Sequence, residues 1–558
     1  MLRFLPALTL LAMLGPVVAG LWGTLLPAFG HLPSAGLFGP SLDPFRSLFA
    51  WGGLTDAARL SVTTGLIATA LSLGIVALIA ASWSGTKAFR ILERLLSPLL
   101  SVPHAAAAFG LAFLIAPSGW VSRLLSPALT GWDRPPDLLI VQDPLGLAMI
   151  AGLVVKEVPF LLLMTIAAIG QAQPRRSLLV AQSLGYGRVS GWLKTVFPRV
   201  YSQIRLPVYV VIAYSMSVVD VALILGPSTP PTLSVQIVKW MSDPDLSMRL
   251  TGAAAALFQL ALVIGALCFW WLGERLVARL GNRWIMSGNR GLRDTSVRVL
   301  SLGLGSVSAF AVFFGLASLL IWSFAAFWSF PNVLPDGFTM RTWGKHGPNA
   351  FATFGETFFI AGVAVLLALM LVLGCLEAEH RSGRPLSRRG LWMLYLPLLV
   401  PQTAFLPGLQ TLLLSVGADV GRIPVILAHL VFVLPYVFLS LGDPWRAWDT
   451  RNAIVAGALG ARPWAVFWRV RAPMLLRPIL IATAVGISVS VGQYLPTLLI
   501  GGGRVSTLTT EAVALASGGD RRAIGVYGLA QTLAALIPFA LALIVPAFLW
   551  RNRRNLHE

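Results

Sequence analysis

The sequence predicts an all-α polytopic membrane protein made of two tandem six-helix halves, about twelve transmembrane helices in all. Three observations carry that expectation. Hydrophobic residues make up 56% of the 558 positions and charged residues only 11%, with a mean hydropathy of +0.79; an ordinary soluble domain carries about 25% charged residues. Apolar runs of the ~20 residues that a helix needs to cross hydrocarbon recur along the whole length. One ungapped skeleton also occurs twice, as VAQSLGYGRVSGWLKTVFPRV from Val180 and as VAGALGARPWAVFWRVRAPML from Val455.

The apolar runs place spans at 4–27, 60–82, 96–116, 145–168, 206–226 and 250–273, then at 300–328, 354–376, 391–415, 424–442, 479–500 and 527–550. The first of these resembles a secretory signal. It continues apolar through Leu21-Trp22 to Leu26, which favours a retained first span. The division that follows is a first half at 1–273 (core 58–273), a basic linker at 274–299 and a second half at 300–558 (core 350–550). The linker holds Arg275, Arg279, Arg283, Arg290, Arg293 and Arg298 against Glu274 and Asp294, and reads as a solvated tether near anionic headgroups.

Charge placement orients the spans. With the N-terminus inside, twelve of the 42 basic residues fall outside and Lys156 falls within a span, which leaves 29 on the cytosolic side. That bias is the one expected of an inserted chain, with both termini cytoplasmic. The net charge of +20 lies in short segments between spans, so it does not form a nucleic-acid module. Two cysteines, Cys268 and Cys375, sit in or beside apolar runs and allow no disulfide framework and no CxxC motif.

The repeat aligns Ala181, Leu184, Gly185 and Pro198 with Ala456, Leu459, Gly460 and Pro473, and Lys194 with Arg469. The register then holds through the next span: Gly226 meets Gly501, Thr232-Leu233 meets Thr507-Leu508, and Asp245 meets Asp520. A fainter echo pairs Pro103 and Gly110 with Pro401 and Gly408; the extra residues of the first half fit the loop 117–141. Repetition of a polar loop between the fourth and fifth spans of each half indicates a duplicated membrane machine. Leu184-Gly185 and Leu459-Gly460 read as helix ends, since glycine takes the left-handed conformation at little cost. A second short helix follows, with Trp192 or Phe467-Trp468 on one face, and Pro198 or Pro473 stops it. Exposed aromatic and basic residues there suit a partner's cleft, the alternative being an elbow lying on lipid headgroups.

These two loops, 179–199 and 454–474, resemble the EAA loop of binding-protein-dependent ABC importer permeases. Ala181, Gly185 and Pro198, with Ala456, Gly460 and Pro473, occupy that motif's second alanine, glycine and proline. Leu179 and Ile454 stand where the family has glutamate, and Val180 and Val455 where it has the first alanine. The fused arrangement further resembles ferric-iron and thiamine importer permeases. VVKEVPFLLLM, DVALILGPSTPPTL and QYLPTLLIGGGRVSTLTTEAVALASGGDRRA look most like a subgroup of fused permeases, the YnjC type. The resemblance implies a type I permease fold in a bacterial inner membrane, coupled through both loops to a cytosolic ATPase dimer and served by an extracytoplasmic solute-binding protein. It implies no enzyme activity and no cofactor in this chain, ATP being bound by the partner, with ferric iron or thiamine as the solute.

No nucleotide loop GxxxxGK[ST] is present; Ser84-Gly85-Thr86-Lys87 lacks the upstream glycines. No catalytic set and no metal motif stand out. Polar residues within spans are costly and face a path or a partner, which makes Lys156, Glu157, Asp220, Gln493 and Tyr494 candidates for the translocation path. Each has a structural alternative, pairing with a neighbouring helix. Segments 227–249 and 501–526, with Asp243 and Arg504, are candidates for receiving a binding protein. The main rival is an ion-coupled secondary transporter with parallel six-span repeats; a membrane enzyme and an exporter permease are weaker.

Overall fold

The computed structural model describes residues 4–33, 36–171, 174–291, 294–383, 388–418 and 420–549, and among them the chain is helical, with no β-sheet. Arg293 of the linker and the end of the last expected span, Trp550, lie outside the described residues. The first half runs α1 (Leu5–Ala28), α2 (Asp43–Ala50), α3 (Leu54–Trp83), α4 (Lys87–Leu99), α5 (His104–Ile115), α6 (Trp120–Leu125), α7 (Leu147–Gln171), α8 (Pro174–Ser183), α9 (Arg188–Thr195), α10 (Phe197–Ser217), α11 (Asp220–Leu225), α12 (Leu233–Met241) and α13 (Leu246–Met286). The second runs α14 (Thr295–Phe324), α15 (Arg341–Ser382), α16 (Arg388–Leu399), α17 (Gln402–Ser415), α18 (Arg422–Ala447), α19 (Arg451–Ala458) and α20 (Pro463–Val466), then a π-helical turn Phe467–Arg471. It closes with α21 (Ala472–Met474), α22 (Leu476–Val491), α23 (Leu495–Gly501), α24 (Leu508–Ala516) and α25 (Arg521–Leu549).

Among the described residues, nine helices are long and apolar enough to cross a membrane, or eleven if two sharply bent pairs each count as one span. About twelve spans were expected, and the difference has local causes. The third span starts late, at His104, because Pro98 and Pro103 interrupt 96–116 and leave α4 a separate amphipathic helix. Its counterpart in the second half bends by 84° between Leu399 and Gln402, where Pro401 precedes α17. The expected fifth span, 206–226, breaks at Val218, before Asp220, and α10 begins ahead of it with turns that hold Arg199, Gln203 and Arg205. The eleventh breaks between Val491 and Leu495.

The breaks are capped alike in the two halves. Ser234 Oγ donates to the Val218 carbonyl at 3.0 Å, and Thr509 Oγ1 donates to that of Val491. The matched Leu233 and Leu508 each give their N–H to a core hydroxyl, Ser61 at 3.1 Å and Thr357 at 3.0 Å. Matched Asp245 and Asp520 each accept a backbone N–H at the start of the last helix of their half, from Ser247 at 2.9 Å and Arg522 at 3.0 Å. An N-terminal carboxylate satisfies donors that the helix leaves free, and those bonds hold the Asp245 carboxyl below its usual range.

The opening helix of each half packs on the other half. α1 lies along α17 and also touches α15 and α18, while α14 lies against α5, α3 and α7. Glycine makes both crossings close. A methyl on Gly408 would collide with the Gly20 carbonyl and the Thr24 amide, and one on Gly110 would lie 2.8 Å from the carbonyl carbon of Gly315. Small residues let backbones approach where lipid supplies no hydrophobic drive between helices. Gly110 and Gly408 are the pair that the sequence echo matched.

The linker is not a free tether. Its first part is the continuation of α13 to Met286, with Glu274 bound by Tyr201 at 2.6 Å and Arg205 at 2.7 Å. The rest folds onto the loop 179–199.

Candidate functional site: two elbows and an intramembrane polar cluster

Each repeated loop is a helix, a left-handed glycine and a second helix. Gly185 has φ +81° and Gly460 φ +84°. In the first elbow Tyr186 donates its N–H to Ala181 at 3.1 Å and Gly185 to Gln182 at 2.9 Å; in the second, Ala461 donates to Ala456 at 3.0 Å and Gly460 to Gly457 at 2.9 Å. The same donors and acceptors recur 275 positions on, so the alanine supplies the carbonyl that closes α8 and α19, and glycine permits the closure. Pro198 and Pro473 do not end the second helix as expected. Pro198 opens α10, and Pro473 lies within α21, directly after the π-helical turn. Proline offers no N–H to Arg469, which suits a wider turn there.

Each elbow is tied to the end of the long core helix beside it. Arg188 Nε donates to the Ser82 carbonyl at 2.8 Å and Nη2 to that of Ser84, at the end of α3. A cation at a helix C-terminus meets carbonyls that lack intrahelical partners. Burial lowers the Arg188 pKa from its ordinary value, with Arg298 adding to the effect and Asp294 opposing it. In the second elbow Arg471 Nη1 meets Glu377 Oε2 at 2.7 Å, both side chains being nearly buried, and its guanidinium lies 4.2 Å over the Trp448 ring. A cleft of about 200 Å³ opens beside this pair, between Glu377, His380 and Arg381 and the elbow residues Gly457, Pro463 and Phe467.

The elbows differ in their surfaces. Trp192, expected to be exposed, is fully buried, whereas Trp464 and Trp468 stand out on the second elbow. Trp192 packs into the core of the first half with Ile79, Phe89, Leu178 and Val200. The linker covers another part of this elbow: Lys194 Nζ donates to the carbonyls of Trp284 and Asn289, and burial lowers its pKa from the ordinary lysine value.

Of the intramembrane candidates, the structure gathers four at the junction of the halves. Glu157 and Asp220 are buried. Glu157 Oε1 lies 3.7 Å from His104 Nε2, and the His104 ring sits 4.8 Å from that of Tyr214. Asp220 lies within electrostatic reach of His104, Tyr214 and Tyr494, and Glu157 within reach of Tyr436. Gln493 accepts from Gln402 at 3.4 Å. Lys156 does other work: its ammonium donates to the carbonyls of Leu99 at 3.0 Å, Leu100 at 3.4 Å and Val102, which the break before α5 leaves free.

The sequence alone did not single out His104, Tyr214, Gln402, Tyr436, Arg188, Glu377 or Arg471. A signal existed for two of them: His104 follows Pro103 as Gln402 follows Pro401, and each begins the helix after a break. Arg471 has Val196 at its matched position, so the repeat hides it.

An all-helical membrane bundle built twice, with one glycine-closed elbow per half, defines the class of a duplicated transport permease. The comparisons agree. The chain is 32% identical over 554 residues to the inner membrane ABC transporter permease protein YnjC of Escherichia coli (strain K12), covering 98% of each chain. It is 30% identical over 156 residues to the molybdenum transport system permease protein ModB of Mycobacterium tuberculosis, 26% of this chain and 59% of that one. It is also 23% identical over 199 residues to the spermidine/putrescine transport system permease protein PotC of Haemophilus influenzae, 36% of this chain and 74% of that one. No family model and no solved structure matches. The chain belongs to the family of inner-membrane ABC transporter permeases.

Proposed function

We propose that this chain is the whole translocation unit of an ATP-driven import system in a bacterial inner membrane. It comprises a half at 1–273, a linker at 274–299 and a half at 300–558. The two elbows face the cytosol with both termini and receive a separate ATPase dimer, so no ATP is hydrolysed by this chain. Ala181, Gly185 and Pro198, with Ala456, Gly460 and Pro473, form the coupling elbows. The observation that carries this reading is the pair of matched glycine-closed elbows, each fastened by an arginine to the end of a core helix. A rigid tie of that kind lets motion of a partner reach the span directly, provided that ligand and ATP bind the alternating states differently.

Glu157, Asp220, Gln493 and Tyr494 line the path between the halves, and an extracytoplasmic binding protein delivers the solute to the opposite face. Two carboxylates among three tyrosines suit a cation, in keeping with ferric iron or thiamine. The relatives' names point to molybdenum and to spermidine/putrescine, so the solute is set by each system.

The test is ATP hydrolysis by the complex reconstituted in lipid nanodiscs with its ATPase and binding protein. Hydrolysis should rise on adding loaded binding protein. Solute uptake that persists in cells lacking the ATPase would instead favour an ion-coupled transporter.

A further inference from the structure

The elbows share a fold and differ in what covers them. Around the first, the chain's own linker closes in. Gly187 donates its N–H to the Arg290 carbonyl at 2.9 Å, and Val189 donates to the Asp294 carboxylate at 2.9 Å. Lys194 reaches Trp284 O at 2.9 Å and Asn289 O at 2.7 Å, with its ammonium 4.5 Å over the Trp284 ring. Lys194 and the amides of Gly187 and Val189 are thus engaged already.

Both elbows expose apolar side chains on and just after their first helix, Leu179, Val180 and Leu184 on one and Ile454, Val455 and Leu459 on the other, but only the second also presents aromatic ones. Leu459 is 83% exposed, Trp464 68% and Trp468 52%. The first elbow has buried Val189 and half-buried Leu193 at the positions of Trp464 and Trp468. Arg462 and Arg469 are exposed beside the two tryptophans. Neither loop, 179–199 or 454–474, contains an acidic residue, and the leading positions Leu179 and Ile454 are exposed apolar side chains.

Resting on the permease reading above, we propose that the second elbow is the dominant seat of the ATPase. It enters as an arginine-flanked tryptophan wedge, in a cleft apolar at its floor and acidic at its rim. Tryptophan and arginine supply most of the energy at protein interfaces, because a rigid aromatic surface fills a dry pocket and the guanidinium pairs at its edge. Without carboxylates on the elbow, a basic rim on the partner would be repelled. The ATPase is the occupant, rather than lipid headgroups, because the Arg471–Glu377 tie fixes this wedge to the core at the site that the first elbow occupies in its own half.

The experiment measures how much ATPase stays with the purified complex in detergent. Trp464→Ala with Trp468→Ala should lower retention on the order of tenfold, and Leu184→Ala on the first elbow less than about threefold. Arg462→Glu should also weaken retention, and it serves alone if the double variant fails to fold, since it removes no packing. Equal losses at the two elbows, or full retention in the tryptophan and Arg462→Glu variants, would overturn the proposal; full retention would return the wedge to the headgroups. A wild-type complex that never holds an ATPase would overturn the permease reading itself.

Discussion

Arg471 and Glu377 meet at 2.7 Å between the second elbow and the end of α15, both nearly out of solvent. The first elbow solves the same mechanical problem with Arg188 on the carbonyls of Ser82 and Ser84. One tie is an ion pair and the other a cation on a helix end, so the two fail differently. Glu377→Ala leaves a buried guanidinium without its carboxylate, a loss of about 3 kcal/mol where a pair is well buried. Its melting temperature should fall, and replacing both residues with methionine should recover most of the drop. A single variant as stable as wild type would show that the pair carries no load.

Gly185 and Gly460 hold left-handed backbone, which costs a residue with a Cβ about 1–2 kcal/mol. A methyl on Gly460 meets nothing within 4 Å, and one on Gly185 meets only the Arg290 side chain, no closer than 3.4 Å. Alanine should therefore cost similar, modest amounts at both, and asparagine less. Thermal unfolding of the two alanine variants checks this; a loss confined to one of them would mean that the elbows are not conformational equivalents.

The glycine crossings should be far less forgiving. Gly408→Val forces α17 away from α1, whereas Gly74→Val, on α3, adds its side chain where a Cβ meets no neighbour. Several kcal/mol of overpacking are expected at the first site and little at the second. Protein yield and melting temperature report the contrast, and equal behaviour of the two variants would contradict the packing described.

Lys156 and Asp220 separate structure from transport. Lys156→Met strands carbonyls at the break before α5 and should destabilise by about 1–3 kcal/mol. Asp220→Asn should leave folding nearly unchanged and slow solute uptake about tenfold. Uptake kinetics alongside melting curves resolve the two. Unaltered uptake in Asp220→Asn would remove this carboxylate from the path.

What could be read from the sequence was local. The glycine closures follow from residue type and spacing and recur in both halves; Asp245 and Asp520 were matched by the repeat, and the structure adds their capping role. Pro103 and Pro401, noted only as an echo of the duplication, mark breaks that the hydropathy of 96–116 and 391–415 concealed. Packing between distant segments left no such trace. Trp192 looked like a free aromatic on a short amphipathic helix, and its burial follows from packing into the core with Ile79 and Phe89, about a hundred residues earlier in the chain. Arg471 pairs with a carboxylate that follows the eighth apolar run, where composition alone suggests an ordinary charged flank. The crossing of α1 onto α17 rests on Gly20, Gly23 and Gly408, residues too common in membrane helices to stand out.

That exchange of opening helices bears on how the molecule is made. The seat for Gly20 and Gly23 is the stretch around Phe405 and Gly408, which the ribosome produces long after residues 5–28 have entered the bilayer. Until then the first-born helix has mainly α13 of its own half to pack on, and neither half reaches its mature packing before the other is translated.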